Sequence, residues 1–260
     1  MINFAAITPH PPIIVPGIGS PEDILLVKKT VQAMEQLRAE VEHANPHTLV
    51  VISPHAPIDG YSFGVNESRN IHGSLARFGL DEQLEFHNAS EIVEGILYAA
   101  EMNNEMPVHT FEAELDHGAM VPLHFLTKNI HPRLVHLSFS FLSLKMHYDF
   151  GEVVGNLLNS QSGDVAIVAS GDLSHRLTPD APAGYSEQGE EFDHTLIRLL
   201  EHNDIQGLTE LKTKFIDEAG ECGLRSFVMM LGMIKGRPYK FQKLSYEGPF
   251  GVGYLTARML

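Results

Sequence analysis

Four histidines stand just past apolar, strand-like runs or at the mouth of a helix, in Thr8-Pro9-His10, Ser53-Pro54-His55, Leu115-Asp116-His117-Gly118 and Gly171-Asp172-Leu173-Ser174-His175. An imidazole can ligate a metal or carry a proton near neutral pH, so this placement describes an enzyme with a histidine-built site. His10 and His55 share one pattern: a strand, a small hydroxyl residue, a proline and the histidine, with another proline at Pro11 or Pro57. Proline fixes its own φ and keeps the preceding residue extended, so each ring is aimed by a stiff backbone and loses little entropy on coordination. Either alone reads first as a loop histidine closing a strand; two copies favour a shared metal. Asp172 lies three residues before His175, placed to fix that ring's tautomer and raise its pKa, which makes it a usable acid or base. His117 precedes an apolar helix.

The third metal ligand is open. Non-haem iron pairs two histidines with a carboxylate, whereas zinc accepts histidine, cysteine and carboxylate alike. Glu218, Glu221 and Cys222 are the candidates, and the flanking Gly220 and Gly223 let the backbone approach closely, which favours Glu221 or Cys222. The remaining histidines, such as His43, His47, His72, His87, His131, His147, His194 and His202, read as surface.

These residues need elements to aim them. Ile2 to Ile7 and Thr48 to Ile52 read as buried strands, joined by a helix with Ser20 as N-cap, Pro21 at its first position and Ile24, Val27, Val31, Met34, Leu37 and Val41 at helical spacing. A strand, helix, strand unit predicts that the two strands are parallel neighbours. Further strands are expected at 84–87, 134–139, 165–169, 240–246 and 254–258, and helices at 90–101, 121–128, 147–158, 187–201, 205–212 and 224–234. The segments 60–79 and 178–186 read as loop-rich walls of a site. The fold class expected is α/β, a single domain over residues 1–260 with a mixed or mostly parallel sheet flanked by helices. Ligands in such sheets bind outside the carboxyl ends of the strands, where His10, His55 and His175 fall, with His117 at the mouth of a helix.

With 260 residues and 43% hydrophobic content there is material for one large core. A formal net charge of −15 argues against nucleic acid and anionic membranes as partners, since both attract basic surfaces. The lone Cys222 cannot form an internal disulfide, no apolar run approaches the ~20 residues of a membrane span, and no basic leader precedes an apolar stretch. The expected setting is the cytoplasm, the expected partner a small molecule.

Taken together, Thr8-Pro9-His10-Pro11-Pro12, Ser53-Pro54-His55, Leu115-Asp116-His117-Gly118 through Val121-Pro122-Leu123, and Gly171-Asp172-Leu173-Ser174-His175 resemble the class III extradiol ring-cleavage dioxygenase superfamily, the group of protocatechuate 4,5-dioxygenase β subunits. Within it the chain is most similar to the branch of Memo proteins and of the extradiol-like domain fused to AMMECR1 domains. The resemblance implies Fe(II) held by His10, His55 and a glutamate, for which Glu221 is the best match, with His117 and His175 as the acid and base. It implies a catechol-like aromatic substrate and O2, a homo-oligomer, and association with an AMMECR1-type domain. The Memo-like branch has a cysteine where Cys222 stands, so a metal-binding redox or accessory protein holding iron or copper is an alternative. Others are a zinc-dependent hydrolase and a peptide-binding module with a vestigial site.

Overall fold

The densest apolar runs of the chain become the centre of its sheet. The computed structural model describes residues 1–103 and 106–260. Its elements are β1 (Ile2–Thr8), α1 (Pro21–Leu26), α2 (Lys28–Ala44), β2 (Thr48–Ser53), β3 (Phe63–Asn66), β4 (Asn70–Ser74), β5 (Gln83–His87), α3 (Ser90–Met102), β6 (Val108–Phe111), α4 (His117–Leu126), β7 (Arg133–Ser138), α5 (Leu144–Ser160), β8 (Val165–Ser170), α6 (Glu187–Glu201), α7 (Ile205–Thr209), α8 (Thr213–Ala219), α9 (Leu224–Met233), β9 (Gln242–Glu247) and β10 (Tyr254–Arg258). Eight strands form one sheet in the order β6-β3-β7-β2-β8-β1-β10-β9, with β7, β2, β8 and β1 parallel at its centre, β3 antiparallel to β7 but parallel to β6 on one side, and β10 and β9 in antiparallel pairings on the other. This is a single α/β domain.

Side chains alternate across a strand, so a strand that is apolar throughout must be covered on both faces. Leu49 and Val51 of β2 and Ala166 and Val168 of β8 point into a core under α2 and α4. Val50, Ile52, Ile167 and Ala169 point into the other, under α3, α5 and α9. On that second face α5 and α9 pack backbone to backbone: a Cβ on Gly155 would lie 2.1 Å from the Met233 carbonyl oxygen.

Several expectations need correction. β1 and β2 are parallel but not neighbours, because β8 pairs with both and lies between them. Local sequence carries no information on which later strand will insert. The first helix starts at the Ser20–Asp23 capping box as expected but breaks at Val27 (φ −104°, ψ 18°) into α1 and α2. The segment 60–79 holds β3, a short strand fixed by its partners β6 and β7, and β4, which forms a separate two-stranded sheet with β5. The fourth helix begins at His117, four residues earlier than its apolar run suggests, because Asp116 caps it. His147 is fully buried rather than on the surface: its ring nitrogens meet the Ser143 and Ser140 backbone, and burial pushes it down to about 4. β6 and α8 were not expected at all.

The α5–α9 contact generates a test. Gly155→Ala should destabilise the protein by about 1–3 kcal/mol or more, since backbone cannot yield as a flexible side chain would. Urea denaturation reads this out, and a midpoint equal to the wild type's would show that the helices can separate without cost.

Candidate metal centre

The carboxyl ends of β1, β2 and β8 lie side by side, and each leads directly into a histidine segment. His10 follows β1 and is buried, at 2% exposure; His55 follows β2 and faces solvent; His117 opens α4 and is half-buried. The three rings each offer a nitrogen within 4.8 Å of the others, and they form the only such group of ligand-type side chains among the described residues. His10 Nε2 and His55 Nε2 are 3.1 Å apart, and the His55 and His117 rings stack at 4.2 Å between centroids.

Asp116 ties this edge together. Its Oδ1 accepts the Ser53 hydroxyl at 2.6 Å and the Gly118 N–H at 2.7 Å, so one carboxylate joins the end of β2 to the start of α4. A Cβ at Gly118 would lie 2.4 Å from Ser53 Oγ, so only glycine lets the two segments approach this closely. Burial alone would push the Asp116 carboxyl up, but His136 of β7, 3.4 Å away, and Ser53 hold it well below the usual carboxylate range. At His10, Nδ1 meets Ser170 Oγ at 2.9 Å, and Ser170 in turn donates to the Gly118 carbonyl at 2.5 Å.

Asp172 departs from the expected pairing. Its carboxylate turns to His10, not His175: Oδ1 accepts the His10 N–H at 3.1 Å and Oδ2 lies 3.7 Å from His10 Nε2. Burial lifts its pKa to about 7, against the lowering effect of the His10 N–H. His175 itself is mostly buried, which lowers its pKa; its Nδ1 is enclosed without a partner, and it lies within electrostatic reach of His55.

Of the sequence candidates for a third protein ligand, Cys222 is brought beside the histidines, its Sγ 3.7 Å from His10 Nε2. The route is backbone contact: the Cys222 and Gly223 N–H groups both donate to the Asp172 carbonyl, and a Cβ on Gly171 would meet Gly223 Cα at 2.1 Å. Burial pushes the thiol well above its ordinary value, and the nearby Asp172 and Glu221 carboxylates add to the rise. Glu221 is directed elsewhere: it accepts the Leu224 N–H at 2.6 Å at the start of α9 and lies 3.7 Å from Arg225. Glu218 is half-exposed against Arg176.

The donor set fits a transition metal. Two nitrogens 3.1 Å apart are placed to share an ion at ~2.1 Å each with an angle near ~95°, and the histidine, thiol and carboxylate groups around them are the donors such ions take. Burial and the neighbouring imidazoles hold His10 well below its ordinary pKa, which keeps it neutral and able to coordinate. Sequence reasoning passed over Ser53, Asp116, Ser170 and His136. The first two lay inside quoted motifs, where an aspartate just ahead of an apolar helix is a capping signal; nothing local marked the others.

A family model described as "LigB: Catalytic LigB subunit of aromatic ring-opening dioxygenase" matches residues 4–257. The chain is 32% identical over 265 residues to Protein CA_C1420 of Clostridium acetobutylicum, covering 97% of itself and 56% of that protein. It is 27% identical over 131 residues to 3,4-dihydroxyphenylacetate 2,3-dioxygenase of Escherichia coli, covering 46% of itself and 47% of that protein. The chain thus spans about half the length of the curated relatives it matches. The crystal structure of uncharacterized protein JW3007 from Escherichia coli K12 superposes with a TM-score of 0.69 at 15% identity over 99% of both chains, a likeness of fold.

Asp193 of α6 anchors the His175 loop, accepting the Ser174 N–H and the Tyr246 hydroxyl at 2.8 Å each. Burial lifts its pKa from 3.8 to about 7, against the lowering effect of both bonds. Between those values the folded protein keeps a proton that the unfolded chain has released, so this group makes stability fall as pH rises from about 4 through about 7. Asp193→Asn cannot titrate and should flatten that part of the slope in urea midpoints taken between pH 5 and pH 8. Equal slopes in both proteins would refute a buried neutral carboxyl.

Proposed function

The chain belongs to the LigB family, that of catalytic subunits of aromatic ring-opening dioxygenases, and from that premise we propose that residues 1–260 form one extradiol dioxygenase domain that uses non-haem Fe(II) and O2 to open a catechol-type ring. The observation that carries this reading is the 3.1 Å approach of His10 Nε2 and His55 Nε2 at the ends of two parallel strands. His10 and His55 would hold the ion, with Asp172 and Cys222, each 3.7 Å from His10 Nε2, as the donors beside them. Fe(II) there supplies the redox chemistry that ring opening by O2 requires.

The chain's own residues supply the proton transfers. Neutral His175 can take a proton from a catechol hydroxyl at Nε2, the ring nitrogen opposite its enclosed Nδ1. His117 Nδ1 lies 3.0 Å from the Arg77 guanidinium, which can only donate, so the neutral ring keeps its proton on Nε2 and can donate a hydrogen bond from there to a bound substrate, becoming an acid once it has taken up a second proton. Arg77, exposed and stacked 4.5 Å over Phe78, also faces the mouth with N–H groups to spare, which suits a substrate bearing a carboxylate.

One observation favours a second reading. Cys222 beside His10 provides a soft thiol, the donor that a Memo-like iron- or copper-binding redox protein would use without ring cleavage.

Two measurements separate these readings. Protein loaded anaerobically with Fe(II) and mixed with catechols in air should take up oxygen and form a ring-fission product. His10→Ala and His55→Ala should lose the metal; His175→Ala should keep it and lose turnover by about 10²-fold or more. Loss of metal in His175→Ala would refute its role as base, and no oxygen uptake with any catechol would refute the dioxygenase reading. Loading Asp172→Asn and Cys222→Ser side by side with Fe(II) or Cu(I) tests the second reading. Iron lost only in Asp172→Asn supports the dioxygenase, and copper preferred by the wild type and lost only in Cys222→Ser supports the Memo-like protein.

A further inference from the structure

His10 is aimed at the centre of the cluster by a chain of hydrogen bonds that begins at a proline inside α4. An α-helix bonds each N–H to the carbonyl four residues back, so Pro122, which has no N–H, leaves the Gly118 carbonyl without its helical donor. Gly118 is buried, and a buried carbonyl needs a partner. The partner is Ser170 at the end of β8, whose hydroxyl donates to Gly118 O at 2.5 Å. A serine has one proton to donate, so towards His10 Nδ1, 2.9 Å away, Ser170 Oγ must accept. His10 therefore carries its proton on Nδ1 and presents an unprotonated Nε2 to His55, 3.1 Å off, and to Cys222 and Asp172. Ser170 and His10 are both shut off from water, so no solvent molecule can take over either bond.

We propose that Ser170 is a positioning residue that fixes the coordinating tautomer of His10, and that Pro122 acts at a distance by leaving the Gly118 carbonyl for Ser170. The proposal rests on the reading of His10 as a metal ligand, and its two halves can be measured apart. Ring tautomers of the metal-free full chain are read from ¹⁵N shifts of the histidines, with His10 assigned by comparison with His10→Ala. Metal affinity is read by titration with Zn(II), which is redox-silent.

In the wild type, His10 should be the Nδ1–H tautomer. Ser170→Ala should mix the tautomers and weaken Zn(II) binding by about 10- to 100-fold, while Ser170→Thr, which keeps the hydroxyl, should restore most of both. Pro122→Ala, which restores an N–H to compete for Gly118 O, should shift the His10 tautomer in the same direction by a smaller amount without touching the site. A wild-type His10 protonated on Nε2, or a Ser170→Ala protein with wild-type tautomer and affinity, would overturn the proposal; an unchanged tautomer in Pro122→Ala would overturn the proline's part. If the wild type binds no metal, the ligand reading fails, and the ring shifts of the metal-free protein still decide the hydrogen-bond chain.

Discussion

A buried imidazole has two ring nitrogens and each must find a partner, because an unmet polar group in the interior costs about 1–3 kcal/mol. At His10 that requirement organises the surroundings. Ser170 meets one nitrogen, His55 meets the other, and Asp172 receives the backbone N–H of the same residue. The three partners come from the end of β8, which pairs with β1, and from the end of β2, on the far side of β8. Once His10 is satisfied in this way, the carboxyl ends of three strands are held in register with one another.

Close backbone approach is the second condition. Gly118 lets α4 start against Ser53, and Gly171 lets the chain leaving β8 touch Gly223. Without these contacts the segments carrying His117 and Cys222 would stand off from the His10–His55 pair by at least the width of a methyl group. The small residues near the site are thus part of its geometry, although none of them does chemistry.

Electrostatics separates the acids by role. Asp116 is kept ionised by His136 and Ser53 and acts as a fixed negative clamp under the histidines. Asp172 and Asp193 are buried with fewer donors and titrate near neutral pH. Burial thus pushes these two carboxyls towards the neutral form, whereas Asp116 stays charged.

Residue patterns alone marked the α/β class, the central strands buried on both faces and the positions of all four histidines at strand or helix ends. These are local properties: β-branched runs, capping residues and prolines act on their immediate neighbours, so His10 and His55 could be singled out from the Pro-His pattern alone. Tertiary structure decided what those residues meet. β8 inserts between β1 and β2, Asp172 turns to His10 instead of His175, and Cys222 rather than its neighbour Glu221 faces the cluster. Adjacent residues in a loop point in different directions, and which one faces the site depends on where Gly171 and Gly223 touch. That contact joins positions some fifty residues apart, and a pairing over such a distance leaves no trace in the local pattern of either segment.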